Sequence, residues 1–393
     1  MKPSPADAAP IKLLATVRWP VGGIRTYLKY VYLRLDPALF DITVVAPDIP
    51  ELRVLMKEME RPNVRFLPIA NYEGVNFLRA ISRAIFSVKP DLVQSHGFTA
   101  GFTAALPAKL AGAHHVITPH DVITAEIASS FKQKLQIRML GLALGAADVI
   151  QTVSEDSRRN IIEFIPGLAR RPEKFRTILN GVPAAQFAGG TTRDLRAELS
   201  LPPDTFLVGF LGRFMKQKGF TYLLDAMQAL AKRTDLAKKP LVIAVGGGGH
   251  IREEQARVND RGLAAHFHFL PFEANVAAVM RGLDVITIPS LWEACPLLPM
   301  EAMMVGTPVI GTDCLGLREV LQGTPSTVIP MADARSLEGA IVEHLDGKHK
   351  AAAAAYAAQA RQRFDVDATA ASLNELLLAT VRHPIRKTKG VAS

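Results

Sequence analysis

With 393 residues, of which 49% are apolar and 21% charged, the chain is long enough for two or three packed domains and is not disordered. Its two cysteines, Cys295 and Cys314, exclude a disulfide framework and fit a reducing cytoplasm. The formal net charge of +9 favours an anionic partner, but nucleic acid is not expected, because no zinc-finger spacing, RNA-recognition motif or long basic run is present.

Apolar strand-like runs alternate with helical patterns through the first half of the chain, which indicates a parallel α/β domain. Two helices separate several of these runs, one from about Gly74 to Val88 and one over Phe131–Ala143. The predicted strands are Ile11–Val17, Asp41–Ala46, Val64–Leu67, Asp91–Ser95, His115–Thr118 and Asp148–Thr152.

The helix predicted over residues 74–88 is amphipathic, with Phe77, Ile81 and Ile85 among its apolar residues at helical spacing. One interpretation packs this face on the core and leaves a basic face in solvent. The other docks the helix on an anionic membrane surface. The basic residues that would help such docking are Arg34, Lys132, Lys134, Arg138 and the tail from Arg382.

A turn-rich segment, residues 180–192, is interpreted as a linker to the second half. Beyond it, strands alternate with helices that include Phe220–Leu230 and, near the end, Ala351–Arg363 and Ala368–Val381. The predicted strands are Phe206–Leu211, Leu241–Val245, His266–Leu270, Asp284–Ile288, Pro308–Thr312 and Ser326–Ile329.

The alternation predicts an α/β fold with two doubly wound Rossmann-like domains. We place an N-terminal Rossmann-like domain over residues 1–184 and a C-terminal Rossmann-like domain over residues 185–366. Residues 367–393, a terminal helix and basic tail, are predicted to return to the N-terminal domain. Ligands bind such folds at the carboxyl ends of the strands, so we expect the domains to face each other across a ligand-binding cleft.

A basic loop flanked by glycines, Gly212-Arg-Phe-Met-Lys-Gln-Lys-Gly219, follows one strand and opens a helix. Glycine at both ends permits a tight turn and a close backbone approach. Arg213 can clamp a phosphate in bidentate fashion, and Lys218 adds a point charge. These cations would stabilise the charge that a leaving diphosphate gains when a glycosyl–phosphate bond breaks. The alternative is a basic surface loop without a ligand.

Two glutamates, Glu293 and Glu301, follow a later buried strand. Pro299 fits the first turn of a helix that begins near Leu298, which places Glu301 in that turn and Glu293 just before it. Carboxylates at these places can accept hydrogen bonds from the vicinal hydroxyls of a sugar nucleotide, and the helix N-terminus favours a phosphate. The alternative is that Glu301 only complements the helix dipole and Glu293 is a solvated loop residue.

A second glycine turn, Val245-Gly-Gly-Gly-Gly-His250, follows another buried strand. We interpret Gly246 and Gly247 as part of a flexible turn beside the nucleotide, with turn formation alone as the alternative. No metal site is predicted, because His266 and His268 alternate on one strand without a cysteine or carboxylate to complete a ligand set.

Several short motifs occur along the chain, each weak alone and specific in combination. They are Gly22-Gly23, Ser95-His96, Thr118-Pro-His-Asp121, Thr152-Val-Ser-Glu-Asp-Ser157, Ile178-Leu-Asn-Gly-Val182, the basic loop and the Glu293/Glu301 pair. On these motifs the chain resembles, over nearly its whole length, the retaining glycosyltransferases of family 4 (glycosyl transferases group 1), which have the two-domain GT-B fold.

The resemblance implies a role for each matching residue. Arg213 and Lys218 would hold the donor diphosphate, Glu301 the ribose hydroxyls, and Glu293 a hydroxyl of the transferred sugar. Gly23 would let backbone N–H groups approach the donor phosphate, and His120 would lie beside the donor sugar near the acceptor entrance. The residues assigned to catalysis are His120, Arg213, Lys218 and Glu293, and the further substrate-binding residues include Gly22, His96, Asp121 and Gly212.

The resemblance also implies that no metal or cofactor is needed beyond the nucleoside diphosphate sugar, because cations and helix ends neutralise the phosphates. Retention is ascribed in such enzymes to a front-face substitution, in which the leaving phosphate oxygen helps deprotonate the acceptor. No carboxylate nucleophile is therefore assigned.

The chain departs from the family pattern after the first glutamate, where Ala294-Cys295-Pro296 replaces the common Gly-Phe-Gly. Pro296 has no N–H to donate, so backbone contacts to the sugar or phosphate would come from Leu297 and Leu298. Bulk at Ala294 and Cys295 alters which sugar fits, so the nucleotide base and the sugar stay open.

These observations predict a cytoplasmic, retaining, metal-independent hexosyltransferase that acts on a saccharide or lipid-linked acceptor. Synthesis of cell-surface polysaccharide, lipopolysaccharide or glycolipid is the expected setting, and peripheral attachment to the inner face of the membrane stays open. Neither a secretory segment nor a spanning segment of roughly 20 apolar residues is expected. Two alternatives remain, a sugar-nucleotide epimerase on the same scaffold and a non-catalytic nucleotide-sugar-binding protein.

Overall fold

The computed structural model describes residues 9–124, 130–271, 273 and 275–382. Within these residues the chain divides into two compact units. The first unit ends at Asn180 and resumes at Asp367, and the second unit is Gly181–Val366. The basic tail beyond Arg382, the first eight residues and the side chain of Lys132, all considered above, lie outside the described residues.

The first unit is built on a 7-stranded parallel sheet. Its strands are β1 (Ile11–Val17), β2 (Phe40–Pro47), β3 (Val64–Ile69), β4 (Leu92–His96), β5 (His114–Thr118), β6 (Val149–Thr152) and β7 (Phe175–Thr177), in the order β3-β2-β1-β4-β5-β6-β7. The central strands are buried on both faces, as continuous apolar runs in a parallel sheet predict. The six predicted strands are confirmed, and β7, a strand of three residues, was missed.

Helices cover this sheet. They are α1 (Gly22–Tyr27), α2 (Pro50–Glu58), α3 (Val75–Val88), α4 (Phe98–Ala111), α5 (Phe131–Ala146) and α6 (Glu155–Phe164). A π-helical turn, Leu28–Tyr32, extends α1, and 3-10 turns lie at Pro166–Arg170 and Pro172–Lys174. Helix α3 buries Phe77, Ile81 and Ile85, so the interpretation of its apolar face as core-facing is confirmed.

The second unit is built on a 6-stranded parallel sheet. Its strands are β8 (Phe206–Leu211), β9 (Pro240–Val245), β10 (Phe267–Leu270), β11 (Val285–Ile288), β12 (Val309–Thr312) and β13 (Thr327–Ile329), in the order β10-β9-β8-β11-β12-β13. All six were predicted to within a residue or so at each end.

The helices of this unit begin inside the segment that was interpreted as a linker, where Phe187 is buried. They are α7 (Ala184–Phe187), α8 (Leu195–Glu198), α9 (Phe220–Leu230), α10 (Ile251–Asp260), α11 (Val276–Gly282), α12 (Leu298–Val305), α13 (Leu317–Leu321), α14 (Ala334–His344) and α15 (Lys348–Arg363), with 3-10 turns at Lys216–Lys218 and Ala264–His266. A last helix, α16 (Val366–Arg382), leads back into the first unit. No helix in the described part of the chain is long and apolar enough to cross a membrane.

An aromatic core holds the second unit together on one face of its sheet. Phe214 and Phe220 are almost fully buried, and their ring centroids lie 5.3 Å apart. Phe210 packs on both of them at 5.4 and 5.0 Å. Because Phe214 lies within the basic loop and Phe220 directly after it, this core fixes the loop that carries Arg213 and Lys218.

Candidate functional site

The basic loop, residues 212–219, runs from the end of β8 to the start of α9. Arg213 is exposed, although its neighbour Phe214 is buried. Among the described residues, no side chain or main-chain group forms a hydrogen bond or ion pair with Arg213. The guanidinium is therefore held at the end of a strand by a buried neighbour and is available to an anionic ligand.

Gly219 lets the basic loop approach the loop that follows β11, residues 289–297, which we call the acidic loop. The φ of Gly219 is +68°, and a Cβ there would lie 1.8 Å from the carbonyl oxygen of Pro289. Two hydrogen bonds join the loops further: Leu291 N–H donates to the Gln217 carbonyl at 2.8 Å, and the Gln217 amide donates to the Trp292 carbonyl at 2.7 Å. Since β8 and β11 are neighbours in the sheet, the two loops form one surface at its carboxyl edge.

Lys218 and Glu293 meet where these loops join. Lys218 Nζ lies 2.7 Å from Glu293 Oε1, which also accepts a hydrogen bond from the Ser290 hydroxyl at 2.8 Å. The N–H of Glu293 donates to the Leu315 carbonyl at 3.0 Å. Glu293 is 6% exposed, so the alternative of a solvated loop residue is wrong. These partners compensate for the loss of water around a carboxylate this deeply buried.

Glu301 lies in the first turn of α12, as predicted. Pro299 occupies the same turn, and Gly306, in the left-handed conformation, ends the helix. The side chain is half-buried, and this burial raises the pKa of Glu301 to about 7. Its carboxylate has no hydrogen-bond or ion-pair partner within the described ranges, so it is available to accept hydrogen bonds from a ligand.

The second glycine turn packs directly against the basic loop. A Cβ at Gly246, whose φ is +141°, would lie 2.0 Å from the carbonyl oxygen of Gly212. The N–H of Phe214 donates to the Gly247 carbonyl at 3.1 Å. The turn therefore supports Arg213, and Gly246 is required by the close approach of two backbones. The structure brings together the basic loop, this turn and the acidic loop, with Leu297 and Leu298 at the start of α12.

The glycine pair of the first unit begins α1, just beyond β1. Gly22 has a φ of +54°, in the region that favours glycine. A Cβ at Gly23 would meet no atom within 4 Å, so the space beside this residue is open. Its backbone can therefore be approached by a ligand.

The other predicted residues of the first unit gather where β4 and β5 end. His96 Nδ1 lies 2.9 Å from His120 Nε2, and the two rings stack at a centroid distance of 5.2 Å. Tyr27 packs its ring on His120 at 4.8 Å. His96 is 1% exposed, whereas His120 is half-buried and Asp121 is exposed. The cluster thus presents His120, and not His96, at its open end.

Burial leaves both histidine rings neutral at pH 7. It lowers the pKa of His120 to about 3. It also lowers the pKa of His96 well below its usual value, with the neighbouring His120 as a second cause. Neither ring can therefore act as a cation toward a phosphate, and each acts as a neutral hydrogen-bonding group.

Two family descriptions match the chain. Glycosyl transferases group 1 matches residues 191–362, and Glycosyltransferase Family 4 matches residues 21–186. The chain belongs to this glycosyltransferase family. The resemblance found from the sequence motifs is confirmed.

Known relatives of this glycosyltransferase extend over most of its length. It is 28% identical to the 2-deoxystreptamine N-acetyl-D-glucosaminyltransferase of Streptomyces fradiae, over 93% of this chain and 94% of that protein. It is 27% identical to the D-inositol 3-phosphate glycosyltransferase of Thermobispora bispora, over 90% and 89% of the two chains. Anabaena HepE, solved in complex with UDP and glucose, superposes with a TM-score of 0.80 at 20% identity over 94% and 100%. The prediction of an α/β protein of the GT-B fold, with two parallel sheets, is confirmed.

The sequence analysis of this glycosyltransferase missed the polar side chains that support the predicted ones. Ser290, fully buried, orients Glu293. Tyr32, Gln94 and Gln151 are buried around His96. A signal was present, because a glutamine inside an apolar strand of a parallel sheet, such as Gln94 in β4, must find a buried partner. Its partner, Tyr32, comes from a distant part of the chain and has no such signal.

Proposed function

We propose that this glycosyltransferase moves a sugar from a nucleoside diphosphate sugar to an acceptor hydroxyl, with retained anomeric configuration and without a metal ion. The observation that carries the proposal is the junction of the basic and acidic loops, where Lys218 Nζ and Glu293 Oε1 lie 2.7 Å apart. A diphosphate bound to the basic loop would thus lie beside the carboxylate that is to hold the sugar. The metal is dispensable because fixed cations supply the charge.

The donor would be held at both ends. Arg213, which has no protein partner in the described part of the chain, would bind the diphosphate together with Lys218. Glu301 would accept hydrogen bonds from the ribose hydroxyls, and Glu293 from one hydroxyl of the transferred sugar. UDP-glucose is the donor to test first, because HepE was solved with UDP and glucose.

The proposed reaction breaks the bond between the anomeric carbon and the diphosphate oxygen. The acceptor oxygen forms its bond to the same carbon on the same face, and its proton passes to the leaving phosphate oxygen. Arg213 and Lys218 would stabilise the negative charge that builds up on the diphosphate. Gly22 and Gly23 would offer backbone N–H groups to the phosphate, and His120 a hydrogen bond to the sugar.

Replacing Arg213 with alanine tests the phosphate clamp. We expect kcat/KM for UDP-glucose to fall about 10²- to 10³-fold, the size of losing one preorganised donor to transition-state charge. Arg252→Ala is the matched control, because Arg252 is also exposed, belongs to the same unit and lies on α10 outside the loops. Equal activity of the two variants in a steady-state assay would show that the clamp is misplaced.

The family match does not favour the epimerase alternative. Product analysis separates the two reactions, because an epimerase converts the donor without any acceptor. We expect UDP-glucose incubated without acceptor to be recovered with its configuration unchanged.

The proposed acceptor is a saccharide or a lipid-linked saccharide of a cell-surface polysaccharide, lipopolysaccharide or glycolipid. The names of the two curated relatives point to small polyols instead, an aminocyclitol and an inositol phosphate. An acceptor panel should therefore hold free cyclitols beside lipid-linked saccharides. Transfer to cyclitols alone would contradict the proposed lipid-linked acceptor, but it would agree with the proposed transferase activity.

We also propose peripheral binding to an anionic membrane, through the outer faces of three helices and not through the buried apolar face of α3. Helix α4 packs between α3 and α5, and the outer faces of the three carry large exposed apolar side chains and no aspartate or glutamate. These residues are Val75, Leu78, Phe86, Phe102, Leu106, Leu110, Leu135, Met139 and Leu142. The exposed basic residues beside them are Arg79, Arg83, Lys109, Lys134 and Arg138. Arg34, also considered before, forms an ion pair with Asp367.

Liposome co-sedimentation tests this surface. We expect binding to vesicles that contain phosphatidylglycerol, little binding to pure phosphatidylcholine, and loss of binding in a Leu106→Asp, Leu110→Asp double variant, because apolar burial and basic charge act together. Met331→Asp is the control, since Met331 is 55% exposed and lies in the other unit. Binding that does not depend on anionic lipid would contradict the proposed docking of these three helices on an anionic membrane.

A further inference from the structure

A chain of buried hydrogen bonds leads from β6 to His120. It starts at Gln151, passes through Gln94 of β4 to Tyr32, and continues through His96 to His120. All but the last of these residues are buried. The function proposed above uses only the end of this chain, the ring of His120.

The two glutamine amides set the direction of the chain. Gln94 Nε2 donates to Thr118 Oγ1 at 2.9 Å and to Gln151 Oε1 at 3.2 Å. The Thr118 hydroxyl donates its own proton to the same Gln151 oxygen at 2.8 Å, while Gln151 Nε2 faces the Tyr27 hydroxyl at 3.4 Å. With both of its amide protons used in this way, Gln94 turns its oxygen toward Tyr32.

The direction then passes through Tyr32 to the histidines. The Tyr32 hydroxyl has one proton, which it donates to Gln94 Oε1 at 2.7 Å. The 2.7 Å contact between Tyr32 and His96 Nε2 must therefore be donated by the ring N–H. A neutral His96 has no second proton, so its Nδ1 accepts, and the 2.9 Å contact is donated by His120 Nε2.

We infer that Tyr32 and His96 are positioning residues that hold His120 in the Nε2–H tautomer and leave its Nδ1 unprotonated. Nδ1 forms no hydrogen bond with the described residues, so it faces a substrate hydroxyl as an acceptor only. A hydroxyl that donates to this nitrogen is thus oriented by a chain that ends outside the site. The role toward substrate rests on the proposed function, whereas the tautomer does not.

Turning a single group cannot reverse the donor and acceptor roles along this chain of hydrogen bonds. The opposite tautomer of His120 requires both glutamine amides to turn and the protons of Tyr32 and Thr118 to move at the same time. Any partial change leaves two donors or two acceptors facing each other in a buried place, which folded proteins avoid. The tautomer is therefore a property of the whole chain of side chains and not of His120 alone.

Nitrogen NMR of the intact protein labelled with ¹⁵N-histidine tests the inference, with signals assigned by His96→Asn and His120→Asn variants. We expect His120 to show a protonated Nε2 and an unprotonated Nδ1. A protonated Nδ1 in the wild-type protein overturns the inference, whatever the variants do.

Tyr32→Phe cuts the chain and keeps the aromatic ring. We expect both nitrogens of His120 to move toward averaged values, because His96 then loses the acceptor that fixes its own tautomer. Ser95→Ala is the matched control, since it removes a buried hydroxyl that contacts a different histidine, His115 Nε2, at 2.8 Å. An unchanged His120 signal in Tyr32→Phe would contradict the inference.

The activity readout separates the inference from the proposed function. We expect Tyr32→Phe to lower kcat about tenfold and to leave the Kd of UDP within about twofold, because the donor loops belong to the other unit. An unchanged kcat beside an altered tautomer would overturn the role toward substrate. A wild-type protein that does not turn over UDP-glucose would contradict the proposed donor, and the tautomer result would stand.

Discussion

Lys218 and Glu293 form an ion pair with each other, which explains how two opposite charges are accommodated in a partly buried place. Burying a lone carboxylate as deeply as Glu293 would cost on the order of several kcal/mol. The proposed donor would offer Lys218 a diphosphate and Glu293 a sugar hydroxyl. Donor binding would thus replace the partner of each charged group, and neither charge would be left unpaired.

Glu301 offers a test at the scale of one residue, because burial raises its pKa to about 7. Only the ionised carboxylate accepts hydrogen bonds from both hydroxyls of a ribose. We expect the Kd of UDP-glucose to fall as the pH rises from about 5.5 to about 7.5 and then to level off. Glu301→Gln should bind about tenfold more weakly, with a flat pH profile by calorimetry.

Glu301→Gln, which should weaken donor binding, should also raise the stability of the folded protein above pH 7. The pKa of Glu301 in the folded protein, about 7, lies above its ordinary value of 4.5, so this group favours folding at low pH and loses that contribution as the pH rises through 7. Above pH 7 we expect Glu301→Gln to be more stable, by on the order of 1–2 kcal/mol for a half-buried group. A variant that loses both stability and binding at pH 8 would contradict this account.

The sequence predicted best those site residues whose type and position carry a local signal. Arg213 and Glu301 were proposed because a guanidinium after a strand and a carboxylate in a first helical turn have local signals. Ser290 and Tyr32 were not, because their roles depend on partners that only the fold brings near. Local sequence thus predicted which groups we propose as ligand-binding, and not which buried side chains orient them.

At the scale of elements, glycines decide how closely the loops approach. A Cβ at Gly219 would lie 1.8 Å from the Pro289 carbonyl, and a Cβ at Gly316 would lie 2.3 Å from the Glu293 carbonyl. The acidic loop is thus held between two glycines with positive φ, one of them in the basic loop. Such contacts are between backbones, so no rotamer change can relieve them.

Gly219→Ala tests this arrangement, with Gly347→Ala as the matched control. Both glycines are left-handed residues that precede a helix, with φ of +68° and +77°, but nothing lies within 4 Å of a Cβ at Gly347. We expect the control to cost about 1 kcal/mol of unfolding free energy from strain alone. Gly219→Ala should cost more and should weaken UDP binding at least about tenfold, because the two loops must separate.

Denaturant unfolding and UDP titration of both variants would measure these effects. Equal stability and equal UDP affinity of the two alanine variants would show that the contact between Gly219 and Pro289 does not hold the site.

Among the elements, the strands were predicted better than the helices. The strand predicted over Phe206–Leu211 and the helix predicted over Phe220–Leu230 match the structure residue for residue. Helices as long as α4, with 14 residues, were given no bounds from the sequence. Two short elements that were also missed, β7 and α7, are 3 and 4 residues long. Both are fixed by burial, of Phe175 and Phe187, that depends on the rest of the fold.

On the scale of the whole molecule, each unit has a core of its own, and each core buries titratable groups. Burial lowers the pKa of His115 in the first unit and of His344 in the second to about 4. His120, whose pKa falls to about 3, and His96, whose pKa lies well below its usual value, bring to four the buried rings that are kept neutral within the described residues.

These rings predict acid lability. Their pKa values in the folded protein lie below the ordinary 6.5, so the stability they contribute is present above pH 6.5 and is lost as the pH falls toward 4. We expect the free energy of unfolding, measured by urea denaturation, to drop steeply between about pH 6.5 and 4.5, by on the order of 1–3 kcal/mol for each ring. Glu301 opposes this trend only partly. His344→Gln should flatten the curve, and a flat curve for the wild-type protein would contradict the prediction.

The sequence by itself determined the kind of protein this is. Uninterrupted apolar runs can be satisfied only as strands covered on both faces, so they specified two parallel α/β sheets, and the glycine, arginine and glutamate motifs specified the family. Tertiary structure alone decided that Lys218 pairs with Glu293 across 75 residues of chain and that Tyr32 orients the histidines from 64 residues away. The reason is that periodicity and turn chemistry act between neighbours in sequence, whereas a hydrogen bond or an ion pair depends on which strand ends meet at the same edge of a sheet.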